Sequence, residues 1–163
     1  MGVDTRLAVG PFIRCKSELI NDTKIRLECP NGHSIIMAYS YCPQCGSELV
    51  DKYIPSSRVK HNPQDIIRVL NETLYVAGHN NWGSNKTEHT YAPNKQYKTN
   101  YHSLIDLGSL EDQEAGAWNI TPDLIKEETL EFMKVFEKEI AQLMEIYGKD
   151  NVSIEWGIVY EIW

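Results

Sequence analysis

Residues 121–163 read TPDLIKEETLEFMKVFEKEIAQLMEIYGKDNVSIEWGIVYEIW, and this stretch decides the fold. Thr121-Pro122-Asp123 is a helix start: Thr can cap, Pro fits the first helical position, and Asp123, Glu127 and Glu128 sit near the positive end of the helix dipole. Phe132, Phe136, Ile140, Leu143 and Tyr147 follow at three- to four-residue spacing, and Met133 and Met144 widen the stripe. The spacing predicts one long helix over about 122–147, ending at Gly148. From Val152 the pattern changes. Val152, Ile154, Trp156, Ile158, Tyr160 and Ile162 alternate with Ser153, Glu155, Gly157, Val159 and Glu161, which predicts a strand over about 151–162.

Upstream, Thr73–Ala77 and Ser103–Leu107 are β-prone, and Asn62-Pro63 opens a short helix with Ile66, Ile67 and Leu70 on one face. Together these elements predict a small sheet covered by the long helix. Residues 79–102 lie between them and show little periodicity. They hold His79, Asn80, Asn81, Trp82, Lys86, His89, Tyr91, Lys95, Tyr97, Lys98, Tyr101 and His102, with three Lys and one Glu. A long segment of this kind is an exposed loop, a hairpin with hidden periodicity, or a functional surface. Trp82, Lys86, Tyr91, Tyr97, Lys98 and Tyr101 are its candidate partner-binding residues, because aromatic side chains anchor interfaces and Lys with aromatics can also hold nucleic acid. The histidines lack the spacing of a His-Asn-His nuclease; a metal-dependent nuclease using His79 and His89 stands as an alternative.

The first third carries the clearest chemistry. Cys29-Pro30-Asn31-Gly32-His33 is followed after eight residues by Cys42-Pro43-Gln44-Cys45-Gly46. Two tight turns, each offering two soft or borderline ligands, suit tetrahedral Zn²⁺. Neither Glu28 nor Glu48 stands in a metallohydrolase arrangement with a histidine, so the spacing indicates a structural Zn²⁺ and not a catalytic one. Cys29, His33, Cys42 and Cys45 are the candidate ligands, with Cys15 as the alternative to His33. Around the turns, Leu7–Ile13 reads as a strand bent at Gly10-Pro11, Asn21-Asp22-Thr23 as a turn, Lys24–Glu28 as a strand, and Leu49–Ile54 as the closing strand.

The Cys-Pro-x-Cys-Gly turn resembles the knuckles of zinc ribbons, over roughly residues 25–50. The first turn departs from the ribbon pattern, with His33 four positions after Cys29 in place of a second Cys-x-x-Cys. In combination, one ribbon, a compact α/β body and no enzyme motif resemble the small accessory proteins encoded by tailed phages. That resemblance implies an interaction protein acting on a host protein.

The chain has 163 residues with 42% hydrophobic and 24% charged, enough to bury a core, and a net charge of −7. The acidity is local. Residues 1–60 carry eight basic and six acidic side chains, residues 61–110 four of each, and residues 111–163 four basic and thirteen acidic. That distribution argues against a uniformly basic nucleic-acid binder, and leaves opposite faces through which copies could associate. No apolar run is long enough to span a membrane. The opening residues lack a secretory pattern, so the expectation is a cytoplasmic protein (host cytoplasm if phage-encoded) with reduced thiols. The expected architecture is α+β, with a β-rich segment bearing the zinc ribbon over 1–58 and an α+β body over 59–163. The expected function is a non-enzymatic zinc-containing protein that binds another protein, with a nucleic-acid-binding ribbon as the alternative.

Overall fold

The computed structural model describes residues 5–36, 39–77, 86–94, 105–109 and 120–162. The architecture is α+β, with five strands in one sheet and two in another. The chain divides into two compact units, one made of the residues up to Glu18 and from Val59 onward, the other of Leu19–Arg58.

The larger unit is organised by β1 (Thr5–Lys16). On one side β1 pairs along nearly its whole length with the last strand, from Thr5↔Ile162 to Cys15↔Val152. On the other side two strands share it end to end: Arg6–Val9 face Ser109–Ile105, and Ile13–Lys16 face Tyr91–Glu88. In chain order the remaining strands of this sheet are β4 (Leu74–Val76), β5 (Glu88–Pro93), β6 (Ile105–Ser109) and β7 (Val152–Ile162). All its pairings are antiparallel. The β-rich segment expected over 1–58 is therefore divided, because the pairing of β1 joins it to the C-terminal body.

The first helix, α1 (Pro63–Val69), is capped as its sequence predicts, with the Asn62 side chain accepting from the Gln64 amide at 3.1 Å. Thr121 caps α2 (Pro122–Val135) through the Leu124 amide at 3.2 Å. The single helix expected over 122–147 is divided at Phe136, whose φ of −103° and ψ of 23° separate α2 from α3 (Glu137–Tyr147). Hydrogen bonding nevertheless carries across the division, from the Phe136 amide to Phe132 O and from the Ile140 amide to Phe136 O, both at 2.9 Å. The apolar stripe survives it too: Phe132, Phe136, Ile140, Leu143 and Tyr147 are all buried.

Side chains alternate across a strand, so register decides what meets the helices. Val76, Tyr91, Ile13 and Ile154 form one row across the sheet, and His89, Cys15 and Val152 the next. The helix stripe packs on these rows, with Ile66, Leu70 and Leu74 completing the cluster. Phe12, Ala92 and Val159 form a separate, smaller cluster. Cys15 is fully buried in the main core, where loss of water pushes its thiol up to about 12.

The smaller unit is a two-stranded sheet of β2 (Leu19–Glu28) and β3 (Val50–Val59), with the cysteine turns between the strands. Asn21-Asp22-Thr23 is part of β2 and not a turn, because Ser17 and Glu18 alone connect β1 to β2. Ion pairs join Glu28 to Lys52 at 2.9 Å and Asp22 to Arg58 at 3.0 Å. Partner numbers fall on β3 as they rise on β2, so the strands run antiparallel, with even-numbered residues sharing one face. The odd-numbered face carries Leu19, Ile25, Leu27, Tyr53 and Pro55 among polar Asn21, Thr23, Asp51 and Ser57.

Candidate metal centre

The first turn begins where β2 ends. Gly32 donates to Cys29 O at 2.9 Å and takes a φ of +77°, which a residue with a Cβ adopts only at a cost. The Asn31 amide points at Cys29 Sγ, 3.4 Å away. The second turn is built on a bridge between Tyr41 and Glu48. Cys42 donates to Ser47 O and Gly46 donates to Cys42 O, each at 2.8 Å, with Gly46 at a φ of +68°. Leu49 lies buried beside Cys29 and Cys42, with Leu27 and Ile35 packed on them.

These two turns bring Cys29, His33, Cys42 and Cys45 together, with their ligand atoms all within 4.8 Å of one another. His33 Nδ1 is 3.5 Å from Cys29 Sγ and 3.5 Å from Cys42 Sγ. Cys29 Sγ and Cys45 Sγ are 3.4 Å apart. A tetrahedral zinc with ordinary Zn–S and Zn–N bonds needs N···S edges of about 3.6 Å and S···S edges of about 3.8 Å. The two nitrogen–sulfur edges match that figure, the Cys29–Cys45 edge is about 0.4 Å shorter than a bound zinc requires, and all four cysteines of the chain are free thiols. The chemistry of the set, three thiols and an imidazole, fits Zn²⁺ or another thiophilic divalent ion.

The thiols differ in environment. Burial pushes Cys29 up. At Cys42 burial also pushes up, but the amides of Gln44 and Cys45 outweigh it and leave the thiol below its ordinary value. Cys45 is held down to about 5 by the Ser47 hydroxyl, the Asn31 side chain and the Ser47 amide. Hydrogen bonds with Cys45 and Cys42 raise His33. Protons and a metal compete for the same sulfur and nitrogen lone pairs, so the hold on a metal weakens as pH falls.

Cys15, the alternative ligand, is packed in the core of the larger unit and does not belong to the cluster. Of the candidate partner-binding residues, Lys86 is exposed. Tyr91 is not a surface anchor: it is fully buried, because its register opposite Ile13 turns it toward the helices. Trp82, Tyr97, Lys98 and Tyr101 lie outside the described residues, as does His79.

His89 is 2% exposed and both its ring nitrogens are engaged. Nε2 lies 3.0 Å from Lys86 O and Nδ1 lies 2.8 Å from Tyr147 Oη, which is itself 2.6 Å from Tyr91 Oη. A carbonyl only accepts, so Nε2 carries the proton. Burial holds the ring below its ordinary value and hence neutral, so Nδ1 accepts from Tyr147 and Tyr147 accepts from Tyr91. This histidine closes a core network.

Sequence reasoning missed Asn31 and Ser47, whose side chains reach the Cys45 sulfur. Their position inside and just after the turns was the available signal, but spacing does not reveal which turn side chains fold inward. Comparison with protein-family models, curated proteins and solved structures finds no match. The fold and the cluster thus define the class: an α+β protein with a Cys-His-Cys-Cys cluster at metal-binding distance. Among the described residues no helix is long and apolar enough to cross a membrane.

Proposed function

We propose that this chain is a non-enzymatic, zinc-containing protein-interaction protein. Zn²⁺ would be held by Cys29, His33, Cys42 and Cys45, where it fixes the end of the β2–β3 ribbon. The observation that carries this reading is the convergence of four protein ligand atoms within 4.8 Å. Four protein ligands fill a tetrahedron, which is the arrangement of a structural zinc, whereas a catalytic zinc keeps one position for water.

The ribbon also supplies a surface. Ile25 is 60% exposed and Tyr53 66% exposed on its odd-numbered face, while the even-numbered face mixes two ion pairs with Ile20, Val50 and Ile54. Large apolar side chains left exposed on one short ribbon favour contact with another protein. The resemblance to phage accessory proteins would make that protein a host factor in the host cytoplasm.

The test has two stages. Elemental analysis of reduced protein is expected to return one zinc per chain. Immobilised wild-type chain is then expected to retain one protein in stoichiometric amount, and the Ile25→Asp/Tyr53→Asp variant, still zinc-loaded, to lose it. Absence of zinc overturns the metal reading. Retention of nucleic acid instead, with a steep loss at rising salt, moves the function to the nucleic-acid alternative.

A further inference from the structure

The three sulfurs of the cluster are not equivalent. Cys29 and Cys42 are buried, and Cys45 is exposed. Three thiolates and a neutral imidazole around a divalent ion leave an excess of one negative charge, carried on sulfur. A chelator or a proton reaches that charge most easily at Cys45, so exchange of the metal begins there. What surrounds Cys45 therefore matters more than what surrounds the other two.

Two side chains surround it. Asn31 Nδ2 lies 3.4 Å from Cys45 Sγ and 3.1 Å from Ser47 Oγ. Ser47 Oγ lies 3.4 Å from the same sulfur. Donor bookkeeping closes this triangle when the sulfur is a thiolate. A thiolate only accepts. The Asn31 amide has two hydrogens, one for the sulfur and one for Ser47 Oγ, and the Ser47 hydroxyl hydrogen remains for the sulfur. Asn31 belongs to the first turn, while Cys45 and Ser47 belong to the second, so the triangle also ties the turns together.

We propose that Asn31 and Ser47 form a hydrogen-bond clamp on the exposed Cys45 sulfur that sets how fast the centre releases its metal. The proposal rests on the zinc reading above and goes beyond it by assigning positioning roles to two residues that bind no metal themselves. Outer-shell donors of this type hold a ligand in orientation and spread its charge. Asn31 allows a clean dissection. Its backbone amide serves Cys29 and survives any ordinary substitution, whereas its side chain serves Cys45 and does not.

The experiment loads wild type, Asn31→Ala, Asn31→Asp and Ser47→Ala with one zinc each and follows transfer to an excess of a chromophoric chelator. Asn31→Ala and Ser47→Ala are each expected to release zinc about tenfold faster. Asn31→Asp keeps the shape but sets a carboxylate against the thiolate, and is expected to release at least as fast as Asn31→Ala. Because the two residues share one triangle, an Asn31→Ala/Ser47→Ala double variant loaded in the same way should speed release by less than the product of the single effects. With Co²⁺ as a probe, the sulfur-to-metal charge-transfer band should move to lower energy in each variant, since an undonated thiolate gives up its electron more easily. Simple loosening of the turn would not produce that shift. If the Asn31 variants fail to fold, Ser47→Ala carries the test alone. Wild-type release and an unshifted band in Asn31→Asp or Ser47→Ala overturn the clamp while leaving the zinc reading standing. A wild-type chain that takes no zinc or Co²⁺ overturns both.

Discussion

The two units of this chain solve the same problem with different means. The larger unit buries a twelve-residue cluster, from Ile13 and Cys15 on β1 to Phe132 through Tyr147 on the helices. In the ribbon the corresponding cluster is Cys29, Cys42 and Leu49, and two of those three are candidate metal ligands. Its strands contain no buried residue. A two-stranded antiparallel sheet is marginally stable in water, and a few tens of residues cannot enclose a sufficient apolar core. The body is therefore organised by apolar packing, and the ribbon is organised by its turns and by whatever those turns bind.

That contrast is broken most severely by removing the metal. If the turns hold zinc as proposed, stripping it with a chelator, or substituting Cys42→Ser, is expected to unfold the turns and collapse amide-exchange protection across Leu19–Arg58, because metal-binding energy would then be folding energy. Amides of β1, β7 and the helices should keep their protection. Ribbon amides that stay protected without metal would remove the distinction. The converse substitution attacks the body. Phe132→Ala empties a fully buried site and is expected to cost about 3–5 kcal/mol in denaturant unfolding of the body, with zinc stoichiometry unchanged.

A smaller effect sharpens the account of the body, whose core is not purely apolar. Tyr147→Phe leaves the Tyr91 hydroxyl without its acceptor and His89 Nδ1 without its donor, at an expected cost of about 1–3 kcal/mol. Acid acts on the same network. Burial lowers His89 below its unfolded value, so the unfolded chain takes up the proton first. The body's stability should be highest above about pH 6.5 and fall as pH drops from there toward the folded value. His89→Gln should flatten that part of the profile; an unchanged slope would mean that another group is responsible.

How much of this was legible follows from what each element shows locally. The Thr121 and Asn62 caps, the helix stripe and β7 were readable because capping and periodicity are short-range signals. Strand β5 was not, because its inward positions are His89 and Tyr91: a polar and an amphipathic side chain hide the alternation that apolar residues would show. The assignment of β1 to the body was equally hidden, since it depends on pairing with strands more than seventy residues away. At the metal centre, spacing pointed to Cys29, His33, Cys42 and Cys45, but left Cys15 open until its burial in the core was known. Side chains that support a site from inside a turn, as Asn31 and Ser47 do, have no spacing signature at all.

The least disruptive test lies at the junction of α1 and β4, where packing and backbone preference disagree. Asn71 and Glu72 are consecutive residues at φ of +53° and +57°. Left-handed backbone costs an L-residue about 1–2 kcal/mol, less for Asn than for Glu. Glycine would relieve that cost at residue 72 but would add freedom to the unfolded chain, which offsets part of the gain. The Glu72 backbone bonds do not depend on its side chain: its amide donates to Ile67 O at 2.9 Å and its carbonyl accepts from Asn94 Nδ2 at 3.2 Å. Glu72→Gly removes the left-handed cost together with the side chain's own interaction, so the body's stability is expected to change by no more than about 1 kcal/mol, read as the denaturation midpoint at an unchanged slope. The ribbon's metal affinity should not move, since this turn belongs wholly to the larger unit. A destabilised Glu72→Gly variant would mean that the Glu72 side chain contributes more to the folded body than its backbone conformation costs.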